Sequence, residues 1–282
     1  MNVFESALLG LIQGFCEFLP VSSSGHLLLA RLLLGIQTDT PAMKMLDILL
    51  HVGTLIPVIV IFWKDWKKMI CHPIKDKSFI MLIFASVPTL LIYIAAKILF
   101  DEVDGFDVFN SGWFLGASFL ITALFLIICD FSSRSALRRK TEVNLKSAVF
   151  MGLFQGIGMI PGISRSGSTI TGGVLTGLRK DTAARFSFIM SAPAILGSLM
   201  MEGKDALEEG YINEIEIIPT LIGVLIACIA GFIAIRFMLK IIATVPMGYF
   251  ALYLAVIGVA YLLLQFAGSN LLPPFAIPVG TP

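Results

Sequence analysis

The fold is decided by two related stretches of the sequence. Residues 10–40 read GLIQGFCEFLPVSSSGHLLLARLLLGIQTDT, and residues 152–182 read GLFQGIGMIPGISRSGSTITGGVLTGLRKDT. When the chain is shifted by 142 residues, about 12 of the 33 positions starting at residue 10 are identical. Both stretches are hydrophobic and are interrupted near the middle by Pro, Gly and Ser. The sequence therefore predicts two copies of one broken apolar segment.

The rest of the chain has the composition of a polytopic membrane protein. Of the 282 residues, 57% are hydrophobic and only 14% are charged, whereas a soluble domain carries roughly 25% charged residues. The mean hydropathy is +0.92. The net charge of +1 argues against nucleic-acid binding, and the four cysteines lack the spacing of a metal site. Apolar runs long enough to cross a bilayer as helices lie near residues 46–63, 78–100, 111–130, 184–201, 215–238 and 245–265.

The Lys and Arg content of the connecting loops predicts the topology. Basic loops stay in the cytoplasm, so residues 64–77 and 132–146 are predicted inside, together with the turn that Arg236 and Lys240 flank. The acidic loops 101–107 and 202–216 are then outside, as are both termini.

In this topology each broken segment must enter and leave the membrane on one face. Residues 1–45 are predicted to do so from outside and residues 147–183 from inside, which makes both of them re-entrant helical hairpins. Three spanning helices follow each copy, so the second copy is inverted relative to the first. The prediction is an all-α, single-domain membrane protein (residues 1–282) with inverted repeats at approximately 1–130 and 147–265. Its polar site is expected near the midplane, where the broken hairpins meet.

The breaks carry the candidate chemistry. A charge at bilayer depth costs about 2.5–3.5 kcal/mol on insertion scales, so Glu17, His26 and Arg165 are functional candidates. Polar turns that lead into helices form an anion seat, and an Arg fork suits phosphate oxygens. Glu17 and Gln13 offer oxygen ligands for a divalent cation, and Ser23 beside His26 suggests a nucleophile and a base. The residues predicted to bind substrate around them are Ser22, Ser24, Gly25, Ser164, Ser166, Gly167 and Thr169. This pattern predicts phosphoryl transfer on a substrate with a lipid tail.

Two motifs, QGFCEFLPVSSSGH (13–26) and PGISRSG (161–167), are similar to those of a known family. Over nearly its whole length the chain resembles the undecaprenyl-diphosphate phosphatases, also called bacitracin-resistance proteins. The resemblance implies a multi-pass enzyme of the bacterial plasma membrane that removes the terminal phosphate of undecaprenyl diphosphate and so recycles the lipid carrier for cell-wall synthesis. It also implies a divalent cation, Mg or Ca, with functional roles for Gln13, Glu17, Ser23, His26 and Arg165. Gln13 stands where some members have Glu.

Several alternatives stay open at this point. A lipid-phosphate transporter or flippase also fits an inverted repeat with broken helices, and the proximity of His26 and Ser23 favours the enzyme. A phosphatidic-acid-type lipid phosphatase is disfavoured because its motif arrangement is missing from the sequence. The pair Asp47 and His51 either reaches the site or joins two helices. The sequence does not decide whether Ser23, His26 or water is the nucleophile, which metal binds, or whether the protein is a homodimer.

Overall fold

The computed structural model describes residues 2–38, 40–100, 112, 114–134, 140–208, 216–268 and 272. Within these residues the chain forms eleven α-helices, and one isolated bridge joins Lys140 to Leu178. In chain order the helices are α1 (Val3–Phe18), α2 (Ser23–Leu34), α3 (Pro41–Ile61), α4 (Trp63–Cys71), α5 (Lys77–Phe100), α6 (Leu115–Arg134), α7 (Leu145–Ile157), α8 (Arg165–Leu175), α9 (Lys180–Glu208), α10 (Ile217–Ile241) and α11 (Gly248–Phe266). The all-α prediction is confirmed.

Six of these helices are long and apolar enough to cross a membrane, as predicted: α3, α5, α6, α9, α10 and α11. Their ends differ from the predicted ends by a few residues because hydropathy does not register caps. α3, for example, begins at Pro41 rather than at residue 46. The Thr40 side chain caps it by accepting the Met43 N–H at 3.2 Å, and Pro is favoured in the first turn of a helix.

The lysine-rich segment 64–77 was expected to be a loop, and that expectation was incomplete. It contains α4, an amphipathic helix whose charged residues lower its average hydropathy. Met69 on one face is buried in the core together with Phe62, while Trp63 and Ile70 on the other face are exposed. Burial of one apolar face therefore stabilises a helix where average hydropathy predicts none.

The two broken segments form the short helix pairs α1–α2 and α7–α8, and each pair packs against itself. α1 also packs on α10, and α7 on α5. A Cβ on Gly10 would lie 2.2 Å from the Gly223 carbonyl oxygen, and a Cβ on Gly152 would lie 2.1 Å from the Ala85 carbonyl oxygen. These glycines occupy the same position in the two copies, and both allow the close helix approach that small residues permit in membranes. The inverted repeat and the re-entrant path stay predictions.

α8 lies at the centre of the molecule. It contacts α6, α7 and α9, and every residue from Ser166 to Val174 is buried. The N-terminus of α8, which contains the last three residues of the PGISRSG motif, is consequently held away from solvent. The predicted loop 101–107, most of the tail after residue 268 and parts of the loops 132–146 and 202–216 lie outside the described residues.

Candidate active site

The first loop, residues 19–22, joins α1 to α2. α1 ends at Phe18, just before Pro20, which has no N–H to continue a helical ladder. Ser22 has φ 71°, a left-handed conformation that is uncommon for a residue other than glycine. Its Oγ accepts the Gly25 N–H at 3.3 Å and so caps α2. This turn directs the N-terminus of α2 into the protein.

The second loop, residues 158–164, joins α7 to α8 and ends in an equivalent cap. Ser164 Oγ accepts the Gly167 N–H at 3.1 Å. The Ser164 N–H donates to Thr122 Oγ1 of α6 at 3.0 Å, which fixes the loop to a spanning helix. Ser22 and Ser164 lie 142 residues apart, at matching positions of the two copies.

Each loop is in direct contact with the helix that follows the other loop. The Gly162 N–H donates to Ser24 Oγ at 3.2 Å, and Ser166 Oγ donates to the Leu19 carbonyl oxygen at 2.9 Å. Both helix N-termini therefore meet at one place. Since a helix N-terminus carries a partial positive charge and free N–H groups, this junction suits an anion.

Glu17 lies at the junction and is 7% exposed. Its Oε2 accepts from Ser23 Oγ at 2.6 Å and from Gln13 Nε2 at 3.1 Å. Its Oε1 accepts from Arg165 Nη2, and His51 Nε2 lies 3.8 Å from Oε2. One carboxylate thus joins residues from α1, α2, α3 and α8.

Arg165 is the cationic partner of this carboxylate. Its side chain is 12% exposed, and Nη2 forms the ion pair with Glu17. The other terminal nitrogen, Nη1, is buried and has no hydrogen-bond partner in the described part of the chain. An arginine fork can bind two oxygens side by side, and here one of its two arms is occupied.

The sequence suggested that His26 pairs with Ser23, but in the structure the imidazole has other partners. Its Nδ1 lies 2.7 Å from the Ser22 carbonyl oxygen, and its Nε2 lies 2.9 Å from the Tyr253 hydroxyl of α11. Ser23 donates to Glu17 instead. The reason is local: the Ser22 carbonyl oxygen, at the start of α2, accepts a hydrogen bond from Nδ1, the ring nitrogen nearer the backbone.

The remaining predicted residues have defined structural partners. Gly25 packs so closely on Phe119 that a Cβ would lie 2.7 Å from its ring, and a Cβ on Gly167 would lie 3.2 Å from Ser164 Oγ. The Thr169 hydroxyl donates to the Arg165 carbonyl oxygen at 2.9 Å and also contacts Ser187 Oγ of α9. Contact of these groups with substrate stays a prediction.

A small cavity adjoins the second loop. Its volume is about 10 Å³, and its lining includes Ser24, Gly25 and Gly162. This volume accommodates about one water molecule.

Comparison with known proteins matches the sequence to a family. The family model described as Bacitracin resistance protein BacA matches residues 6–260. The chain belongs to this family. It is 37% identical over 270 residues to an undecaprenyl-diphosphatase of Carboxydothermus hydrogenoformans, covering 95% of this chain and all of that protein. It is 39% identical over 266 residues to the undecaprenyl-diphosphatase of Halothermothrix orenii, covering 94% of this chain and 98% of the relative. Undecaprenyl-diphosphatase 4 of Bacillus thuringiensis subsp. konkukian is 35% identical over the same length.

For this member of the BacA family, Gln13 and Glu17 stay the residues predicted to hold a divalent cation. Gln13 Oε1 is buried and without a hydrogen-bond partner among the described residues. It lies one helical turn from the Glu17 carboxylate, and both are oxygen donors of the kind that Mg and Ca prefer. The described residues contain no cluster of three or more His, Cys, Asp or Glu. A cation held by these two oxygens would have to complete its coordination with water and substrate phosphates, as Mg commonly does.

Three contacts in and around the site are not predicted by the sequence. Of the pair Asp47 and His51, His51 reaches the site, because its Nε2 lies 3.8 Å from Glu17 Oε2. Its Nδ1 lies 2.7 Å from the Asp47 carbonyl oxygen. Arg31 is 4% exposed and forms an ion pair with the Asp47 carboxylate. Tyr253 is not indicated by the sequence, because a single tyrosine in an apolar helix is typical of a membrane-facing side chain. No sequence pattern indicates that α11 passes His26.

Proposed function

We propose that this protein is a membrane-embedded phosphatase that converts undecaprenyl diphosphate to undecaprenyl phosphate and inorganic phosphate at the junction of the two loops. Relatives named undecaprenyl-diphosphatase align with nearly the whole chain. The product is the lipid carrier for cell-wall synthesis, and its recycling links the enzyme to bacitracin resistance, the description of its family. Six apolar helices supply the surface along which a prenyl tail lies. No comparison favours the transporter alternative.

The observation that carries the proposal is the divided Arg165 fork. One nitrogen holds Glu17, and the other is a buried donor without a partner among the described groups. It lies where the N-termini of α2 and α8 meet. Buried donors are normally satisfied, so we assign the terminal phosphate of the substrate to this place, with its oxygens bound by Arg165 and by the N–H groups of the two helix ends.

Ser23 and Glu17 form the proposed attacking pair. Ser23 Oγ already donates to Glu17 Oε2 at 2.6 Å, a distance suited to proton transfer. In one route Oγ attacks the terminal phosphorus and its proton passes to Glu17. The bond to the bridging oxygen breaks, and undecaprenyl phosphate leaves with that oxygen, which takes a proton from His26. Water then attacks the phosphoserine: one of its protons passes to His26, the bond from Ser23 Oγ to phosphorus breaks, Oγ takes back the proton held by Glu17, and phosphate is released. In the second route water attacks the same phosphorus directly, and Ser23 only binds substrate.

A divalent cation held by Gln13 and Glu17 would supply charge neutralisation for the diphosphate. The protein groups act beside it: Arg165 orients the terminal phosphate, Ser23 is oriented by Glu17, and His26 transfers a proton at Nε2. The side chains of Glu17 and Arg165 are 6% and 12% exposed, and this burial strengthens their electrostatic interactions.

The test is phosphate release from undecaprenyl diphosphate by the detergent-purified protein. We expect release by wild type to be lost in Arg165→Ala and His26→Ala and to fall when a chelator is added. Arg179→Ala, at an exposed ion pair with Asp181 outside the site, is the matched control and should remain active. A wild type that binds the lipid without releasing phosphate would contradict the proposal and support transport.

We also propose that the protein lies in the bacterial inner membrane with both termini outside, on the basis of the loop charges. Alkaline phosphatase fused after residue 268 should be active if this orientation is right, and a fusion in the segment 135–139 should be inactive. Homodimer formation is a further proposal, to be tested by light scattering of the protein in detergent.

A further inference from the structure

The hydrogen bonds of His26 determine which of its ring nitrogens exchanges protons. Nδ1 lies 2.7 Å from the Ser22 carbonyl oxygen. A carbonyl oxygen only accepts hydrogen bonds, so Nδ1 must carry a proton whether the ring is neutral or charged. Nε2 is then the nitrogen that gains and loses a proton, and the group that Nε2 faces matters for catalysis.

That group is the hydroxyl of Tyr253. The distance from Nε2 to this hydroxyl is 2.9 Å, and the two rings are stacked with centroids 5.7 Å apart and planes 11° from parallel. Phe119 contacts the same imidazole in a tilted arrangement, with ring centroids 5.3 Å apart. The imidazole is therefore held by one backbone carbonyl, one hydroxyl and two aromatic rings.

We propose that Tyr253 is a positioning residue for the phosphatase reaction, which keeps the imidazole of His26 oriented so that Nε2 is available for proton transfer. The proposal rests on the role given above to His26. A tyrosine hydroxyl both donates and accepts, so it is a partner for Nε2 without a proton and for Nε2 with one. It can therefore hold the ring through both protonation states of a catalytic cycle, which an acceptor or a donor alone cannot do.

The position of Tyr253 supports this reading. It lies on α11, a spanning helix from the second half of the chain, while His26 lies on α2 of the first half. The two residues are 227 positions apart, and this contact ties the first turn of α2 to α11. Tyr253 is 46% exposed, so the protein does not enclose this side of the site.

The first arm of the test is spectroscopic and independent of activity. The chain has three histidines, so protein labelled with ¹⁵N-histidine gives a simple spectrum, which His51→Gln and His72→Gln variants assign. We expect wild-type His26 to have the proton on Nδ1, and we expect Tyr253→Phe to shift the Nε2 resonance while the tautomer stays the same. A proton on Nε2 in the neutral ring, or a His26 spectrum unchanged in Tyr253→Phe, would overturn the proposal.

The second arm is kinetic. Tyr253→Phe keeps the stacked ring and removes the hydroxyl, and we expect kcat to fall about tenfold, a fraction of the 10²–10⁴ that a positioned acid–base group contributes. KM should stay within about twofold, and Tyr253→Leu, which also removes the ring, should lower kcat further. Tyr249→Phe is the matched control: it lies one turn earlier on α11, is 69% exposed, and should match wild type.

The outcomes separate this inference from the proposed function. Active wild type with an unchanged kcat in Tyr253→Phe overturns the role of Tyr253 alone. A wild type that releases no phosphate overturns the phosphatase reaction itself, whatever the histidine spectrum shows. If kcat fell in Tyr253→Phe only to the extent that the variant lost thermal stability, the residue would be merely structural. This result would also overturn the proposal.

Discussion

Removing Arg165 should destabilise the protein as well as inactivate it. The side chains of Arg165 and Glu17 are 12% and 6% exposed, so Arg165→Ala leaves a carboxylate in the interior without its cation. Breaking a buried pair in this way costs about 3–5 kcal/mol, which corresponds to a fall in Tm of roughly 6–20 °C for a chain of this size. Phosphate release should fall by about 10²-fold or more, because Arg165 is a buried donor aimed at the phosphate.

A second substitution distinguishes charge from packing. In the Arg165→Ala background, Glu17→Gln removes the stranded charge, so the double variant should regain at least half of the lost Tm while it stays inactive. Thermal unfolding in detergent and phosphate release measure the two effects on the same samples. Arg179→Ala removes a cation that is 51% exposed and should change Tm much less. The reasoning would be refuted if Arg165→Ala lowered Tm no more than Arg179→Ala, or if the double variant were less stable than either single one.

Three further predictions follow from the site and the packing. Ser23→Ala should lower kcat at least about 10²-fold if Ser23 is the nucleophile. Substrate carrying ³²P in the terminal phosphate should then label wild-type protein but not this variant. Labelling of neither protein would favour attack by water. Gln13→Ala should raise the Mg or Ca concentration needed for half-maximal phosphate release, since it removes a neutral oxygen ligand, whereas an unchanged metal titration would remove Gln13 from the cation site. Gly152→Ala should lower the free energy of unfolding by about 1–3 kcal/mol, because its Cβ would lie 2.1 Å from the Ala85 carbonyl oxygen; Gly197→Ala, with no atom within 4 Å of the added Cβ, is the control that should not destabilise.

The spanning helices were predictable because each one must satisfy a simple requirement. A helix that crosses a bilayer has to be long, apolar and nearly free of charge, and these properties are local in sequence. All six candidate spans were found in this way. α4 was missed because its stability comes from burial of Met69 against the core, which depends on neighbours that hydropathy does not include.

The candidate site was partly predictable for a similar reason. Ionisable residues in an apolar segment are expensive, so Glu17, His26 and Arg165 stood out from the sequence alone. Their partners did not. Pairing Ser23 with His26 followed from sequence proximity, but the Ser22 carbonyl takes the inner ring nitrogen, and Ser23 binds Glu17.

The sequence by itself therefore determined the class of protein, the number of candidate spans and the residues that bring charge into the membrane, because each of these depends on composition within one segment. Only the tertiary structure decided which atoms meet. Each loop is joined to the helix after the other loop by a single hydrogen bond between residues about 140 positions apart, and Tyr253 reaches His26 from the far end of the chain. Such contacts depend on how whole helices pack, and helix packing is set by close approaches such as that of Gly152 to Ala85 rather than by any local pattern.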